Sequence, residues 1–284
     1  MKNIPLFILA ASFAGATTIA TAEEEIPFDE GRLFFELNDT DGDLGIHGKI
    51  DGDEWKYLEI EDPHERMMLK VSARGRLRRQ GLTELFFESA EPPFAGEDAL
   101  DPADFFKRFP EGWYEIEGIT LDGEERENEI YLSHVIPAAP DWEGVRFNGV
   151  VAAAEDCDAE DLPEVTAPVT LSWEPVTSSH EELGRDTDTP LAMLGINVLY
   201  YEVVVEIDET DYKSTTIVPS DVYEVDLPQA ITDLVAETLD GEGEFKFEIL
   251  VRTDNGQTTD DDGNPIEPDP GNKSAMEGCF VVVE

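Results

Sequence analysis

The chain has 284 residues, room for about two ordinary domains, and sets 66 acidic side chains against 19 basic ones, a formal net charge of −47. A second polyanion would be repelled by such a surface, which excludes non-specific binding of nucleic acid. Hydrophobic residues at 40% and aromatics at 9% are enough to fill real cores, which excludes an acidic chain that stays disordered throughout.

Met1-Lys2-Asn3 carries one basic side chain, residues 4–16 are almost all apolar or small, and Ala20-Thr21-Ala22 is an A-x-A cleavage signature followed by Glu23-Glu24-Glu25. Residues 1–22 are therefore expected to be a signal peptide. The apolar part is too short for a permanent membrane helix, and no later run approaches about 20 uncharged apolar residues, so no transmembrane segment is expected after cleavage. The mature protein should be exported and reside in the periplasm, on the cell surface or in the medium.

The next region, 23–136, reads as short strands at 33–37, 57–60, 67–73, 82–88, 113–121 and 129–135. Alternation such as Tyr114-Glu115-Ile116-Glu117 is that of a half-buried sheet. Asp101 as an N-cap with Pro102 at the first helical position predicts one short helix, whose Phe105 or Phe106 plugs an edge or end of the core. Ile136-Pro137-Ala138-Ala139-Pro140 cannot extend a strand and marks a domain boundary. Beyond it, strands are predicted at 169–173, 197–207, 215–218, 222–227, 244–252 and 278–283. The second and fifth of these carry long apolar faces, as central strands of a sandwich do. The expected fold class is all-β, with two β-sandwich domains, 23–136 and 137–284, and a single short helix in the first.

The run Val169-Thr170-Leu171-Ser172-Trp173-Glu174-Pro175 resembles the second strand of fibronectin type III domains with its core Trp. Tyr201, the pair Leu227-Pro228 and the strand beginning at Phe245 stand where that family has its third strand, its E–F corner and its sixth strand. The resemblance covers roughly 137–284 and implies a seven-stranded sandwich used for spacing or binding; it names no ligand. The chain departs from the family in two long loops, 177–196 and 257–273. The N-terminal half is similar to segments of uncharacterised exported bacterial proteins.

Cys157 and Cys279 are the two cysteines. In an exported chain they form either a disulfide, closing a long loop and restricting the unfolded chain by roughly 4–5 kcal/mol on the entropic model, or a pair of buried thiols. No C-x-x-C occurs, which removes redox and zinc-ribbon readings.

The sharpest local signal is Asn38-Asp39-Thr40-Asp41-Gly42-Asp43-Leu44-Gly45. Asp39, Asp41 and Asp43 at alternate positions can aim three carboxylates at one hard cation, with Asp51 or Asp53 completing the shell, so calcium is the expected cofactor. Counted from Asp39, the run lacks the Gly at position six (Leu44) and the Glu at position twelve (Ile50) of an EF-hand, so the expectation is a calcium loop on a β scaffold, against a solvated acidic turn. Asp260, Asp262 and Asn264 repeat the spacing more weakly, because Pro265 stiffens the loop.

Six of the bases, Arg66, Lys70, Arg74, Arg76, Arg78 and Arg79, crowd one span. On a strand Arg74, Arg76 and Arg78 would share a face, with Arg79 beside them, to grip a carboxylated or sulfated partner or to balance Glu84 and Glu88. There is no G-x-S-x-G, P-loop or dinucleotide fingerprint, and His64-Glu65 and His180-Glu181 are followed at the fourth place by Met68 and Gly184 instead of His.

The expected function is non-catalytic: an exported binding or spacer protein, calcium-stabilised, whose partner is an envelope protein, a polysaccharide or another copy of itself. Two alternatives stand beside it: a carbohydrate-active hydrolase or glycan-binding accessory protein, and a self-assembling surface or filament subunit. The charge also predicts a saline habitat and a fold less stable in low salt without calcium.

Overall fold

The structure, a computed structural model, describes residues 26–154, 157, 162–181, 183, 195–207, 210–238, 243–260 and 263–283. The expected signal peptide lies outside the described residues. The fold is all-β, and each half of the chain encloses a hydrophobic core of its own.

In the first half, β1 (Glu30–Asn38) turns tightly into β2 (Asp43–Glu61), and the two pair in register from Glu30↔Asp51 to Asn38↔Asp43. The chain continues through β3 (Met67–Ser72), helix α1 (Gly75–Gln80), β4 (Leu82–Glu88), helix α2 (Pro102–Arg108), β5 (Gly112–Thr120) and β6 (Glu125–Leu132). At 19 residues β2 would run roughly 60 Å if straight, too far for one layer of a small domain. Register shifts on either side of Trp55 mark where it turns the corner. Before the corner β2 pairs with β1 and β4; after it, with β3 and β5, and β5 pairs onward with β6. One strand thus serves two layers. Leu33, Phe35, Leu37, Leu44, Ile46 and Ile50 from the first share a core with Leu58, Ile60, Tyr114, Ile116, Ile130 and Leu132 from the second. Phe105 of α2 plugs this core, edge-on to Phe35 at 5.4 Å between ring centroids, and the Asp101 carboxylate caps its helix by accepting from the Ala103 N–H. The first half therefore holds two short helices, α1 being one that the strand pattern did not predict.

The second half begins with a 3-10 turn at Trp142–Gly144 and the short strands β7 (Arg146–Phe147), β8 (Val151–Ala152), β9 (Glu164–Thr166) and β10 (Thr170–Ser172). Then come β11 (Val198–Ile207), β12 (Lys213–Pro219), β13 (Glu224–Asp226), helix α3 (Gln229–Thr238), β14 (Gly243–Asp254) and β15 (Pro270–Val283). One layer has the order β12-β11-β14-β15 and the other β13-β10-β7-β8. Between them lie Trp173, Tyr201, Phe147, Phe245, Phe247 and Phe280. Trp173 and Tyr201 sit 5.3 Å apart, and the Tyr201 hydroxyl accepts from the Val176 N–H at 2.9 Å, so both residues singled out in the sequence stand in the core. A two-sheet sandwich is what the family resemblance implies.

The two halves share a sheet. The first part of β15 pairs in parallel with β1 (Glu36↔Lys273, Leu37↔Ser274, Asn38↔Ala275), so the layer runs unbroken as β12-β11-β14-β15-β1-β2. Beside this seam the buried Asn272 accepts from the Phe35 N–H at 2.8 Å and donates to the Ser133 and Val135 carbonyls at 2.7 and 2.9 Å. The Ser274 hydroxyl donates to the Pro137 carbonyl at 2.6 Å. The proline-rich boundary is therefore pinned to the sheet: it does not separate two sheets, and it does not part the cores cleanly, because Leu183 from beyond it packs into the first. A disulfide joins Cys157 to Cys279 of β15, with 5.2 Å between the Cα atoms.

Candidate functional site

Asp39, Asp41 and Asp43 lie in and beside the β1–β2 hairpin. Its turn is closed by the Gly42 N–H donating to the Asn38 carbonyl (2.9 Å) and by the Asn38 side-chain oxygen accepting from the Thr40 and Asp41 N–H groups at 3.1 and 3.3 Å. The hairpin abuts β15 across the seam. Asn38 donates to Glu277 at 2.6 Å, and Thr40 Oγ1 accepts from the Glu277 N–H at 2.9 Å. The Leu183 N–H donates to His180 Nδ1, so Nε2 carries the proton and donates to Asp39 at 3.1 Å.

Around this turn the sheet collects acids far apart in sequence. Lys273 Nζ reaches Glu36 at 2.6 Å, and His47 places one ring nitrogen 3.3 Å from Glu36 and the other 2.8 Å from Glu91. Arg252 lies 3.9 Å over the Phe34 ring and donates to the Gly271 carbonyl at 2.7 Å. Lys273 and Arg252 do not balance these carboxylates. Burial, then the charges of Glu91, Asp41, Glu277 and Glu36, push the Asp43 carboxyl up to about 6. Burial, then Glu36 and Glu277, push Glu248 up to about 7 against the pull of Lys273 and Lys213. Glu277 is raised by burial and by Asp41. Like charges gathered in a partly buried place favour the protonated carboxyls, and, among the described residues, Asp39, Asp41 and Asp43 are not among the carboxylates whose oxygens come within 4.8 Å of one another in a group of three. Glu36, Glu91, Glu248 and Glu277 carry no local motif: Glu36 is on β1 itself, the pairing of β2 with β4 brings Glu91 near, and the pairing of β1 with β15 and of β15 with β14 brings Glu277 and Glu248.

Asp51 and Asp53 do not join this group. Asp43 opens a strand, so Asp51 lies eight residues along it, about 26 Å away. Asp51 accepts from the Gly52 N–H, and Asp53 pairs with Arg126 at 2.5 Å. A single shell drawn from the whole 39–53 run is ruled out, because the loop it needed is a strand. In the second acidic run Asn264 occupies both carboxylate oxygens of Asp260, at 2.6 and 2.8 Å, which closes a turn. Asp262 lies outside the described residues.

The shared strand face expected for Arg74, Arg76 and Arg78 is not formed. Arg74 is the N-cap of α1, and the helix between Gly75 (φ 59°) and Gly81 (φ 86°) spreads Arg76, Arg78 and Arg79 around its axis. The glycines decide this: both take left-handed backbone, which bends the chain out of β3 and back into β4. All four arginines are exposed, and among the described residues they make no ion pair with Glu84 or Glu88.

The opposite charge fills the outer face of β2, β5 and β6. Registers Glu59↔Glu117↔Glu127 and Glu61↔Glu115↔Glu129 set six glutamates in two rows across three strands. Carboxylate oxygens of Glu115, Glu117 and Glu127 come within 4.8 Å of one another. Partial burial and then these neighbours hold Glu115 and Glu117 above the ordinary carboxylate range. Trp113 and Tyr131 pack edge to face at 5.3 Å beyond one end of the rows, beside a cleft of about 390 Å³ lined by Asp62, Glu65, Trp113, Glu115 and Glu129. At the other end Lys70 pairs with Glu59 and lies 5.1 Å over Tyr57.

No protein-family model matches the chain, and no curated protein matches it. Among solved structures, the FN1–FN3 domains of chicken CNTN1 align over 92% of this chain and 65% of that one, at 9% identity and a TM-score of 0.29. A segment of two fibronectin type III domains from chicken tenascin aligns over 89% of this chain and 97% of that one, at 11% identity and a TM-score of 0.26. A 1.5-MDa bacterial ice-binding adhesin aligns over 92% of this chain and 66% of that one, at 12% identity and a TM-score of 0.21. The chain thus spans just under two thirds of the lengths of the CNTN1 and adhesin structures.

Proposed function

We propose that this is a non-catalytic, exported binding or spacer protein, held as one body by its shared sheet and stabilised by calcium at the seam. One observation carries the reading: the carboxylates raised most, Asp43 and Glu248, stand beside the strands that join the two halves. An ion there acts on the junction of the two cores, which is a mechanical role. The disulfide to β15 supports export, since such bonds persist in oxidising compartments. The partner is an envelope protein, a polysaccharide or another copy, met through the exposed arginines Arg74, Arg76, Arg78 and Arg79.

Calorimetric titration and thermal melting of the metal-free protein test the calcium claim. Millimolar calcium should give binding heat and raise the melting temperature by several degrees, and Asp41→Asn with Asp43→Asn should abolish both. The absence of heat and of any shift in the unsubstituted protein would overturn it.

A further inference from the structure

The exposed arginines of α1 and the glutamate rows on β2, β5 and β6 are on different surfaces. Helix α1 buries none of its residues, and Leu77 at its centre is 48% exposed. Arg76 and Arg79, three residues apart, share a helix face with about 5–6 Å between their Cβ atoms. The glutamate rows on β2, β5 and β6 are spaced by about 4.8 Å across strands and roughly 7 Å along them, a grid on which two such arginines each meet a different row. Beyond the rows, the cleft beside Trp113 offers carboxylates of Glu65 and Glu115 together with an indole, the surroundings a planar guanidinium favours, while its Asp62 is already held by Arg66 at 2.6 Å. Among the strand residues facing the same way, Lys70 is the only base.

The chain leads the helix away from this grid in its own molecule. β3 ends at Ser72, opposite Tyr57, and the chain leaves the sheet there. Glu59, the near end of the first row, stands two strand residues from Tyr57 and is already taken by Lys70, and Glu61 stands four residues on, roughly 13 Å away, with the cleft beyond it.

We infer that helix α1 of one molecule docks, through Arg76 and Arg79, on the glutamate-covered face of β2, β5 and β6 of a second copy. The contact joins two different patches, so it is heterologous and builds rings or strings of molecules. At long range two molecules of this charge repel each other, so the contact forms once salt screens the distant charges and weakens again when salt screens the contact itself. The inference needs the binding character proposed above but not the calcium site, which lies on other residues.

Sedimentation velocity on the mature chain, over a wide concentration range and from low to molar salt, tests it. The weight-average mass should rise with concentration, most at intermediate salt. Arg76→Glu with Arg79→Glu should weaken association at least tenfold while far-UV circular dichroism and melting temperature stay unchanged, because both residues are exposed. Glu61→Lys with Glu117→Lys should do the same, with Glu61→Gln and Glu117→Gln as the milder pair if the lysines disturb the fold. An equimolar mixture of the arginine and lysine variants should associate again. A protein that stays monomeric throughout, association indifferent to both pairs of substitutions, or a face that takes calcium while the protein remains monomeric would each overturn the docking. A monomer whose melting temperature still rises with calcium would sink this contact and leave the proposed function standing.

Discussion

Glu248 lies in β14 between Val204 of β11 and Glu277 of β15, and the groups that shift it are Glu36, Glu277, Lys273 and Lys213. Its carboxyl titrates near 4.5 in the unfolded chain and near 7 in the fold. Below 4.5 it is protonated in both states, and its contribution to stability is fully present. Between 4.5 and 7 only the folded state holds the proton, so stability falls as the pH rises through 7. Asp43 adds a fall of the same sign between 3.8 and about 6, driven by Glu91, Asp41, Glu277 and Glu36. Glu248→Gln keeps the shape and removes the charge, and is predicted to stabilise the protein at pH 8 by roughly 2 kcal/mol, with little effect at pH 4. Urea midpoints at the two pH values check this; equal effects at both would show that the charge is not the cause. None of this was legible locally. Asp41 and Asp43 drew attention by their spacing, whereas Glu248 and Glu277 look like ordinary strand residues until β1 is laid beside β15.

Two elements show how a local pattern can be overruled. In β2, the glycines and aspartates that suggested a metal loop are interleaved with Leu44, Ile46 and Ile50, all buried, so the period of two was present in the sequence beneath the acidic signal. Gly48 occupies the one remaining inward place because the Phe87 ring fills it, and a Cβ there would stand 2.3 Å from that ring. Gly48→Val should therefore cost about 1–3 kcal/mol by overpacking and loosen β4 from β2, seen as faster amide exchange at 85–87. Unchanged exchange there would contradict the packing described. In α1, alternating arginines suggested a strand, but a strand face needs apolar alternates and the segment has only Leu77; the flanking glycines were the better guide. The long strand β15 was legible only at its apolar end, 278–283. Residues 270–277 form strand because β14 and β1 bond them on both sides, an effect no propensity carries. Replacing Cys157 and Cys279 by Ser, which opens a loop of 122 residues, should lower stability by roughly 4–5 kcal/mol in a denaturant titration. A loss below 1 kcal/mol would show that the unfolded chain is already confined.

For the whole molecule, the core roles of Trp173 and Tyr201 were legible from the family resemblance, whereas the break at 136–140 does not part the cores cleanly, because Leu183 from beyond it packs into the first. The shared sheet was not legible, since parallel pairing of residues more than 200 positions apart leaves no mark in either segment. Its consequence is mechanical: neither half can leave without baring the edge that β1 and β15 give each other, an edge that proteins avoid exposing. The net charge of −47 then acts on one body. Self-repulsion of the compact state, felt where Asp41, Asp43, Glu248 and Glu277 meet the seam, is relieved by salt, and under the proposed function by calcium as well. The most direct test is differential scanning calorimetry of the mature protein at pH 7.5 in low salt, with chelator and then with calcium. The account predicts a single cooperative transition that calcium moves up by several degrees as one peak. Two independent transitions, or a melting profile that calcium leaves unchanged, would contradict it.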